Sequence, residues 1–212
     1  MRRFNKIYKK KMGKSKHLNK IKTLFETSPI VSFKSIERII RVKKPTKSNY
    51  AKLLISNLIK RGYIKKISKG AYTLHDDNSL AVLCFAPSYL GLQSALSAHN
   101  LWEQETIPVI ITSKKIRIGI RNILGGNVLI RKTNKKFIFG IEYLQEGNFY
   151  LPFSDVEKTF IDMIIFKQKI PKEILSKFKK RIDEKKLKKY LREYSKKTKN
   201  RILKTYERKL QN

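Results

Sequence analysis

The chain has 212 residues, 41% of them hydrophobic, and its 50 lysines and arginines against 16 acids give a formal net charge of +34. This composition fits one large domain or two small ones and excludes a disordered polyelectrolyte, and the single cysteine, Cys84, excludes an internal disulfide or a four-cysteine zinc site. No apolar run reaches the roughly 18 residues of a membrane helix and no secretory signal is apparent, so we expect an intracellular protein with a polyanionic partner and no membrane association.

The N-terminal segment, residues 1–14, contains seven lysines and arginines and is predicted to form a basic arm. The arm either lies along a groove of a nucleic acid or is an inert tail. A first helix is predicted from Ser15, its N-cap, to Ser28-Pro29, which ends it. Its apolar face has three- and four-residue spacing and consists of Leu18, Ile21, Leu24 and Phe25.

Two further helices are predicted before residue 62. A short extended piece, Ile30-Val31, precedes the second helix, which Ser32 caps and whose buried stripe is Ile36, Ile39 and Ile40. Pro45 ends a tight connection, and a third helix is predicted over residues 46–61, with Gly62 as its stop. The core face of the third helix consists of Ala51, Leu54, Ile55 and Leu58.

A hairpin is predicted next, because two β-prone runs, residues 63–67 and 71–74, flank the turn Ser68-Lys69-Gly70. Three helices followed by a hairpin is the order of a winged helix-turn-helix, which we predict over residues 15–76. In that fold the third helix enters the major groove of DNA with its N-terminal residues at base edges, and the hairpin tip lies on phosphates. Protein–protein contact is the alternative use of the same fold.

The predicted DNA-binding residues follow from this placement. They are the polar and basic residues at the start of the third helix and at the hairpin tip: Thr46, Lys47, Ser48, Asn49, Tyr50, Lys52, Lys66, Ser68 and Lys69. An asparagine such as Asn49 is suited to reading adenine, and Lys47 and Lys52 are suited to guanine or phosphate.

A second domain is predicted over residues 77–212, after the polar linker Asp76-Asp77-Asn78. Residues 80–85 are predicted to be either a strand or the start of a buried helix, and Pro87 is predicted to open a helix through residue 101. Turns are predicted at Gly125-Gly126 and Gly147-Asn148. Strands are predicted at residues 107–112, 117–120, 127–131, 137–141 and 149–151.

The chain is predicted to close in helices. Ser154-Asp155-Val156-Glu157 matches a capping box and predicts a helix start. Pro171 opens the next helix and Asp183 caps another, and these and the last helix have basic outer faces. Their apolar residues are Ile174, Phe178 and Ile182, then Leu187, Tyr190, Leu191 and Tyr194, then Ile202, Leu203, Tyr206 and Leu210. The predicted class is α+β: a winged helix followed by a mixed α/β domain that ends in basic helices.

The charge is concentrated at the two ends of the chain. Residues 1–75 carry 22 lysines and arginines and 2 acids, residues 76–166 carry 9 of each, and residues 167–212 carry 19 and 5. This pattern indicates a scaffold with two electrostatic surfaces, typical of a nucleic-acid-binding protein. A lysine-rich proteome is the alternative, although it does not explain the neutral middle. Four lysines near the C-terminus either contact DNA or form a solvated face: Lys185, Lys186, Lys188 and Lys189.

Three motifs and the closing helical stretch at residues 187–191 resemble the AbiEi antitoxin family over roughly residues 15–210. The motifs are Lys69-Gly70-Ala71-Tyr72, Tyr89-Leu90-Gly91-Leu92-Gln93-Ser94-Ala95-Leu96 and Glu157-Lys158-Thr159-Phe160-Ile161-Asp162. The resemblance implies a cytoplasmic, nucleoid-associated transcriptional autorepressor whose winged helix binds inverted repeats in its own operator. It also implies that residues 77–212 form an antitoxin domain that counters a nucleotidyltransferase-like toxin without a stable complex, and that Asp162 makes a structural hydrogen bond within a helix.

No catalytic, metal-binding or cofactor-binding residue is predicted. The acids Glu142, Asp155, Glu157 and Asp162 suggest a nuclease superficially, but the capping box accounts for Glu157 more simply. The histidines His17, His75 and His99 lack metal-ligand spacing, and Cys84 lies in an apolar run typical of a core. A basic RNA-binding or ribosome-associated protein is the alternative function, although single-stranded RNA readers usually carry aromatic side chains on a sheet.

Overall fold

The structure, a computed structural model, describes residues 17–41, 49–104 and 106–207. The chain divides into two compact units, Met1–Leu80 and Ala81–Asn212. Within the described ranges, no helix is long and apolar enough to cross a membrane. Several predictions fall outside these ranges and concern the basic arm, the Ser15 cap, the connection at Pro45, the helix start at Thr46, Lys47 and Ser48, and the apolar residue Leu210.

The first unit has the element order of a winged helix. Its helices are α1 (Leu18–Thr27), α2 (Phe33–Arg41) and α3 (Asn49–Lys60), and its strands are β1 (Val31–Ser32), β2 (Lys65–Ser68) and β3 (Ala71–Thr73). The strands form an antiparallel sheet in the order β1-β3-β2, so that β2 and β3 are the hairpin and β1 extends it. The three helices and the hairpin predicted from the sequence are confirmed.

The core of this unit is built from the apolar faces of its helices. Ile36 is fully buried, and the predicted faces of α1 and α3 lie against the same cluster, which includes Val31 and Tyr72 of the sheet. At the start of α2, the Ser32 hydroxyl accepts a hydrogen bond from the Ser35 amide at 3.0 Å, which confirms Ser32 as its cap. The position before α1 is occupied by His17, whose side chain makes no capping hydrogen bond.

The second unit contains a mixed six-stranded sheet. Its strands are β4 (Ser88–Leu90), β5 (Val109–Thr112), β6 (Gly119–Ile123), β7 (Gly126–Lys132), β8 (Ile141–Glu146) and β9 (Phe149–Ser154). Their order is β6-β7-β5-β4-β9-β8, with β5–β7 and β4–β9 parallel and the other pairs antiparallel. The predicted turns at Gly125-Gly126 and Gly147-Asn148 connect β6 to β7 and β8 to β9.

The described part of the second unit also contains six α-helices, of which the last five contribute to one core with the sheet. They are α4 (Ala81–Cys84), α5 (Gln93–Ala98), α6 (Val156–Ile165), α7 (Lys172–Arg181), α8 (Glu184–Leu191) and α9 (Lys196–Glu207). The apolar stripes predicted for the last three enter one core with Tyr89, Val109 and Ile111 of the sheet. The fold class predicted from the sequence, α+β, is confirmed, and residues 80–85 form the helical alternative of the two that were predicted.

Three local predictions are wrong. Pro87 does not open a helix: residues 88–90 form β4, whose side chains are all buried, and the helix begins only at Gln93. Strand pairing with β5 and β9 overrides the helical spacing here. Gly91 allows the chain to pass close to β5, since a Cβ there would lie 2.6 Å from Ile111 Cδ1. Residues 137–140 are not a strand, because a short 3-10 helix (Lys135–Phe137) precedes β8, which begins at Ile141.

The third correction concerns the predicted capping box. The helix start near residue 155 is confirmed, but the N-cap is Asp155, whose Oδ1 accepts from the Lys158 amide at 2.8 Å. The Ser154 hydroxyl instead shares a hydrogen bond with Thr159 Oγ1 at 2.8 Å, and Glu157 bonds residues far along the chain. The negative charge of Asp155 is favourable at the positive end of the helix dipole, and the Ser154 hydroxyl is already bonded to Thr159.

Candidate nucleic-acid interface

The helix α3 separates an apolar face from a polar one. Ala51, Leu54, Ile55 and Leu58 are buried in the core, as predicted. The exposed side chains are Asn49, Tyr50, Lys52, Leu53, Ser56, Asn57 and Lys60. Tyr50 is 41% exposed and Leu53 is 60% exposed, so the surface combines hydrogen-bonding, cationic and apolar groups. Such a mixture matches the edges of base pairs, which present donors, acceptors and the thymine methyl group.

The end of α3 fixes where the hairpin begins. Gly62 has a φ of 71°, its amide donates to the Ile59 carbonyl at 2.8 Å, and the Tyr63 amide donates to the Leu58 carbonyl at 2.9 Å. This pair of bonds is a Schellman motif, which confirms the helix stop predicted at Gly62. The next residue, Ile64, is buried, so the chain enters β2 with its path anchored in the core.

The hairpin tip, here called the wing, carries the second set of predicted residues. Lys66 and Lys69 are exposed and Ser68 is half-buried, while Ile67 between them is buried. The pairing of β2 with β3 shifts between Lys66 and Ser68, as in a β-bulge. The Gly70 carbonyl accepts from the Phe33 amide at 2.8 Å, which ties the wing to the start of α2.

In the first unit, some lysines form ion pairs with acids and others do not. Lys65 is paired with Asp76, and Lys22 lies 3.6 Å from Glu26. Among the described residues no ion pair involves Lys52, Lys66 or Lys69, and all three side chains are exposed. These three lysines are therefore free to neutralise phosphates, whereas Lys65 is already neutralised within the chain.

Two exposed cations on α2, Lys34 and Arg38, were missed from the sequence. They lie four residues apart on the side of the helix opposite to the buried Ile36 and Ile40, so they share one surface. Lys34 follows Phe33, whose amide is bonded to the wing. The amphipathic pattern of residues 33–41 already predicts that both side chains lie on the exposed face of α2. In helix-turn-helix proteins the helix before the recognition helix crosses the DNA backbone, so this face could have been predicted as part of the candidate site.

The predicted site residues thus have three outcomes. Asn49, Tyr50 and Lys52 lie together on the first turn of α3, and Lys66, Ser68 and Lys69 lie together on the wing. Thr46, Lys47 and Ser48 are outside the described residues. The described part of the first unit, residues 17–41 and 49–80, carries 11 lysines and arginines against 4 acids, so its surface is cationic.

Three acids of the second unit, Asp155, Glu157 and Asp162, are buried in an ionic network. Asp162 and Lys158 are 2% and 0% exposed and form an ion pair one helical turn apart. The Tyr89 hydroxyl donates to Asp162 Oδ2 at 2.7 Å, and Lys158 Nζ donates to the Tyr89 oxygen at 2.9 Å. Burial lowers the pKa of Lys158 and raises the pKa of Asp162 from their ordinary values. The hydrogen bond implied for Asp162 is thereby confirmed.

A second part of the network joins α6 to α8. Lys186 Nζ lies 3.1 Å from Asp155 Oδ2 and 2.9 Å from Glu157 Oε2. Tyr190 donates to Asp155 at 2.7 Å, and the Asp183 amide donates to Glu157 at 2.8 Å. Burial alone would lower the pKa of Lys186, but its bonds to the two carboxylates outweigh this and raise it.

This network contains three of the four acids that superficially suggest a nuclease. Asp155, Glu157 and Asp162 are each engaged by cations or hydrogen-bond donors of the chain itself. In the described parts of the chain, His, Cys, Asp and Glu side chains form no group of three or more that could hold a metal ion. Of the four C-terminal lysines, Lys186 is bonded within this network, whereas Lys185, Lys188 and Lys189 are exposed. Lys188 lies 3.5 Å from Glu184.

Comparison with solved structures shows a similar fold in another protein. The fold is similar to that of the RV2827C protein from Mycobacterium tuberculosis. The crystal structure of that protein matches with a TM-score of 0.58 and 12% sequence identity, over 91% of this chain and 75% of the other. No protein-family model and no curated protein matches the sequence. At this identity the likeness shows a common fold alone.

Proposed function

We propose that the chain is a sequence-specific, double-stranded-DNA-binding transcriptional repressor of the AbiEi type. The observation that carries this proposal is the surface formed by α3 and the wing. Asn49, Tyr50 and Lys52 are exposed at the helix start, and Lys66 and Lys69 are exposed on a hairpin that follows a buried anchor, Ile64. These five exposed side chains lie outside the core of the unit, so core packing does not account for their presence.

The proposed recognition separates base reading from phosphate binding. The start of α3 enters the major groove, where the Asn49 amide donates to N7 and accepts from N6 of one adenine. Lys52 reaches guanine or phosphate, and Lys66 and Lys69 bind phosphates of the flanking backbone. Each phosphate contact contributes about −0.9 to the slope of log affinity against log salt, so the wing supplies affinity while Asn49 supplies specificity.

An RNA-binding or ribosome-associated function has less support. The exposed aromatic residues on the large sheet are Tyr143 and Tyr150, each 66% exposed. An RNA-stacking surface would place cations beside such rings, but residues 141–150 contain two glutamates and no lysine or arginine. These tyrosines are therefore poorly placed for a polyanion, whereas the surface of α3 is cationic.

The same proposal assigns the second unit an antitoxin role against a nucleotidyltransferase-like toxin, without a stable complex and without catalysis of its own. It is supported by the AbiEi-like motifs at residues 89–96 and 157–162, which fold into the core of this unit around Tyr89 and Asp162. Asp155, Glu157 and Asp162 are bonded to cations of the chain itself, which favours a structural role for these acids. Growth rescue tests this part: co-expression of the full chain should restore growth of cells that make the toxin encoded beside it.

The test of DNA recognition is selection from a random library of DNA duplexes with the full-length chain. We expect enrichment of one inverted repeat, competed far better by the same duplex than by a structured RNA of equal length. The variant Lys66→Ala/Lys69→Ala should enrich the same sequence with lower yield, because the wing does not read bases. Recovery of RNA in preference to duplex, or duplexes without a shared sequence, would refute the proposal.

A further inference from the structure

The six-stranded sheet of the second unit ends in two strands that have one neighbour each. Among the described residues, β6 pairs with β7 alone and β8 pairs with β9 alone. An edge strand presents unpaired backbone N–H and C=O groups and is a template for another strand. Ile118 and Ile120 at the β6 edge are 58% and 66% exposed, and Tyr143 on β8 is 66% exposed. Both edges therefore combine open backbone groups with exposed apolar side chains.

The two edges carry opposite charges. Residues 114–123, which include β6, contain four lysines and arginines and no acid. Residues 141–150, the hairpin of β8 and β9, contain Glu142 and Glu146 and no lysine or arginine. Glu142 is 43% exposed, although its carboxylate also lies 3.4 Å from His99 Nε2. Charge complementarity therefore favours β8 of a second copy as the neighbour of β6.

The register of the sheet shows which side chains share a face. Directly paired residues lie on the same face, and neighbours along a strand alternate. One face contains Ile120, Leu129, Val109, Ile111, Tyr89, Pro152 and Tyr143. The opposite face contains Arg121, Val128, Ile130, Ile110, Leu90, Phe153 and Glu142. At the two distant edges, the exposed apolar residues thus share one face and the opposite charges share the other.

We propose that copies of this chain associate head to tail, with β6 of one copy pairing antiparallel with β8 of the next. The direction follows from the sheet, because β6 and β8 run in opposite directions within one copy and a neighbouring copy with the same orientation presents them antiparallel. In the register that pairs Arg121 with Glu142, Ile120 lies opposite Tyr143. The interface then has an ion pair on one face and a β-branched–aromatic pair on the other, both favourable between strands.

Like charges oppose the two symmetric alternatives. Pairing of β6 with itself places arginines of both copies in one small interface, and pairing of β8 with itself does the same for Glu142 and Glu146. Directly opposed like charges destabilise strand pairs. A heterologous interface avoids both and leaves one free edge at each end, so that association continues into short chains of molecules.

The charge distribution of the whole chain is compatible with this interface. The net charge of +34 resides at the two ends of the sequence, and residues 76–166, which contain the whole sheet, carry nine cations and nine acids. The sheet edges therefore meet without a local excess of charge. The ends still repel one another, so association should strengthen as moderate salt screens that repulsion.

Sedimentation velocity of the full-length chain at several concentrations and at moderate salt tests the interface. We expect the wild-type sedimentation coefficient to rise with concentration. Arg121→Glu and Glu142→Arg should each raise the dissociation constant about tenfold or more, because each places like charges opposite one another. An equimolar mixture of these two variants should regain wild-type association, since every junction in an alternating chain then pairs opposite charges.

The controls make the same charge changes away from the edges. Lys132→Glu alters an exposed lysine on the inner strand β7, and Glu193→Arg alters an exposed acid after α8, and both should associate as the wild type does. Tyr143→Asp tests the β8 edge without touching the Glu142–His99 contact and should also weaken association. A wild-type chain that stays monomeric at all concentrations overturns the proposal, as do edge variants that associate normally. If Arg121→Glu weakens association but Glu142→Arg and Tyr143→Asp do not, the chains associate through a symmetric β6 interface. That result would also overturn the proposal.

Discussion

Two groups of charged side chains, one in each unit, use charge in opposite ways. In Met1–Leu80, the lysines of α3 and the wing are exposed and have no acidic partner among the described residues. In Ala81–Asn212, Lys158 and Asp162 are buried and bonded to each other. Exposed cations are solvated and available to a polyanion, whereas the buried Lys158 joins α6 to Tyr89 of β4 and is closed to any partner. Charge count alone therefore does not locate a binding surface, but charge together with burial and pairing does.

The largest expected effect comes from breaking the buried pair. Lys158→Met leaves Asp162 buried without its cation and should reduce the free energy of unfolding by about 3–5 kcal/mol. Trp102, the single tryptophan, lies in the second unit, so its fluorescence during urea unfolding reports on that unit. The exposed Lys189→Met should stay within about 0.5 kcal/mol of the wild type.

The double variant Lys158→Met/Asp162→Asn separates pairing from packing. It removes both charges, and the new amide still accepts the Tyr89 hydroxyl bond, so it should be more stable than the single variant. If the double variant is as unstable as Lys158→Met, the loss comes from packing at residue 158 and not from the unpaired charge.

A smaller effect is expected from the turn that positions the wing. Gly62 has a φ of 71° and no atom within 4 Å of an added Cβ, so Gly62→Ala tests backbone conformation alone. It should cost about 1–2 kcal/mol and weaken DNA binding, because the helix stop sets the start of β2. Gly125→Ala, with a φ of 84° and equally open surroundings, should cost a similar amount but leave DNA affinity unchanged. Equal DNA affinity of both variants would show that the wing is not positioned by Gly62.

The smallest effect distinguishes available from engaged lysines. Lys69→Ala should make the slope of log affinity against log salt shallower by about 0.9, the contribution of one phosphate contact. Lys65→Ala should change the slope less, since Lys65 is paired with Asp76. Titrations with duplex DNA at several salt concentrations measure both slopes, and identical changes would mean that the Asp76 pair does not persist on DNA.

Much of the first unit was predictable because its signals are local. The spacing of Ile36, Ile39 and Ile40, the cap at Ser32 and the stop at Gly62 each depend on neighbours in sequence. Asn49, Lys52 and Lys69 could be placed on the candidate surface for the same reason. Lys34 and Arg38 were equally accessible to this reasoning, since they alternate with the buried stripe of α2.

The second unit was less predictable because its decisive contacts are distant in sequence. The pattern Ser154-x-x-Glu157 is offset by one residue from Asp155-x-x-Lys158, and only the fold shows that Glu157 is bonded to the Asp183 amide and Lys186. Similarly, residues 87–96 have helical spacing, yet strand pairing of β4 with β5 and β9 prevails at residues 88–90.

The most direct test of the central claim compares two asparagine substitutions in the full chain. For each variant, the affinity for the selected duplex is divided by the affinity for a random duplex at one salt concentration. Asn49→Ala should lower this ratio by about 5- to 150-fold, through loss of one base contact of about 1–3 kcal/mol, while random-duplex affinity is unchanged. Asn19→Ala, an exposed asparagine on α1, should leave the ratio unchanged. An unaltered ratio for Asn49→Ala would contradict the placement of α3 at the base edges.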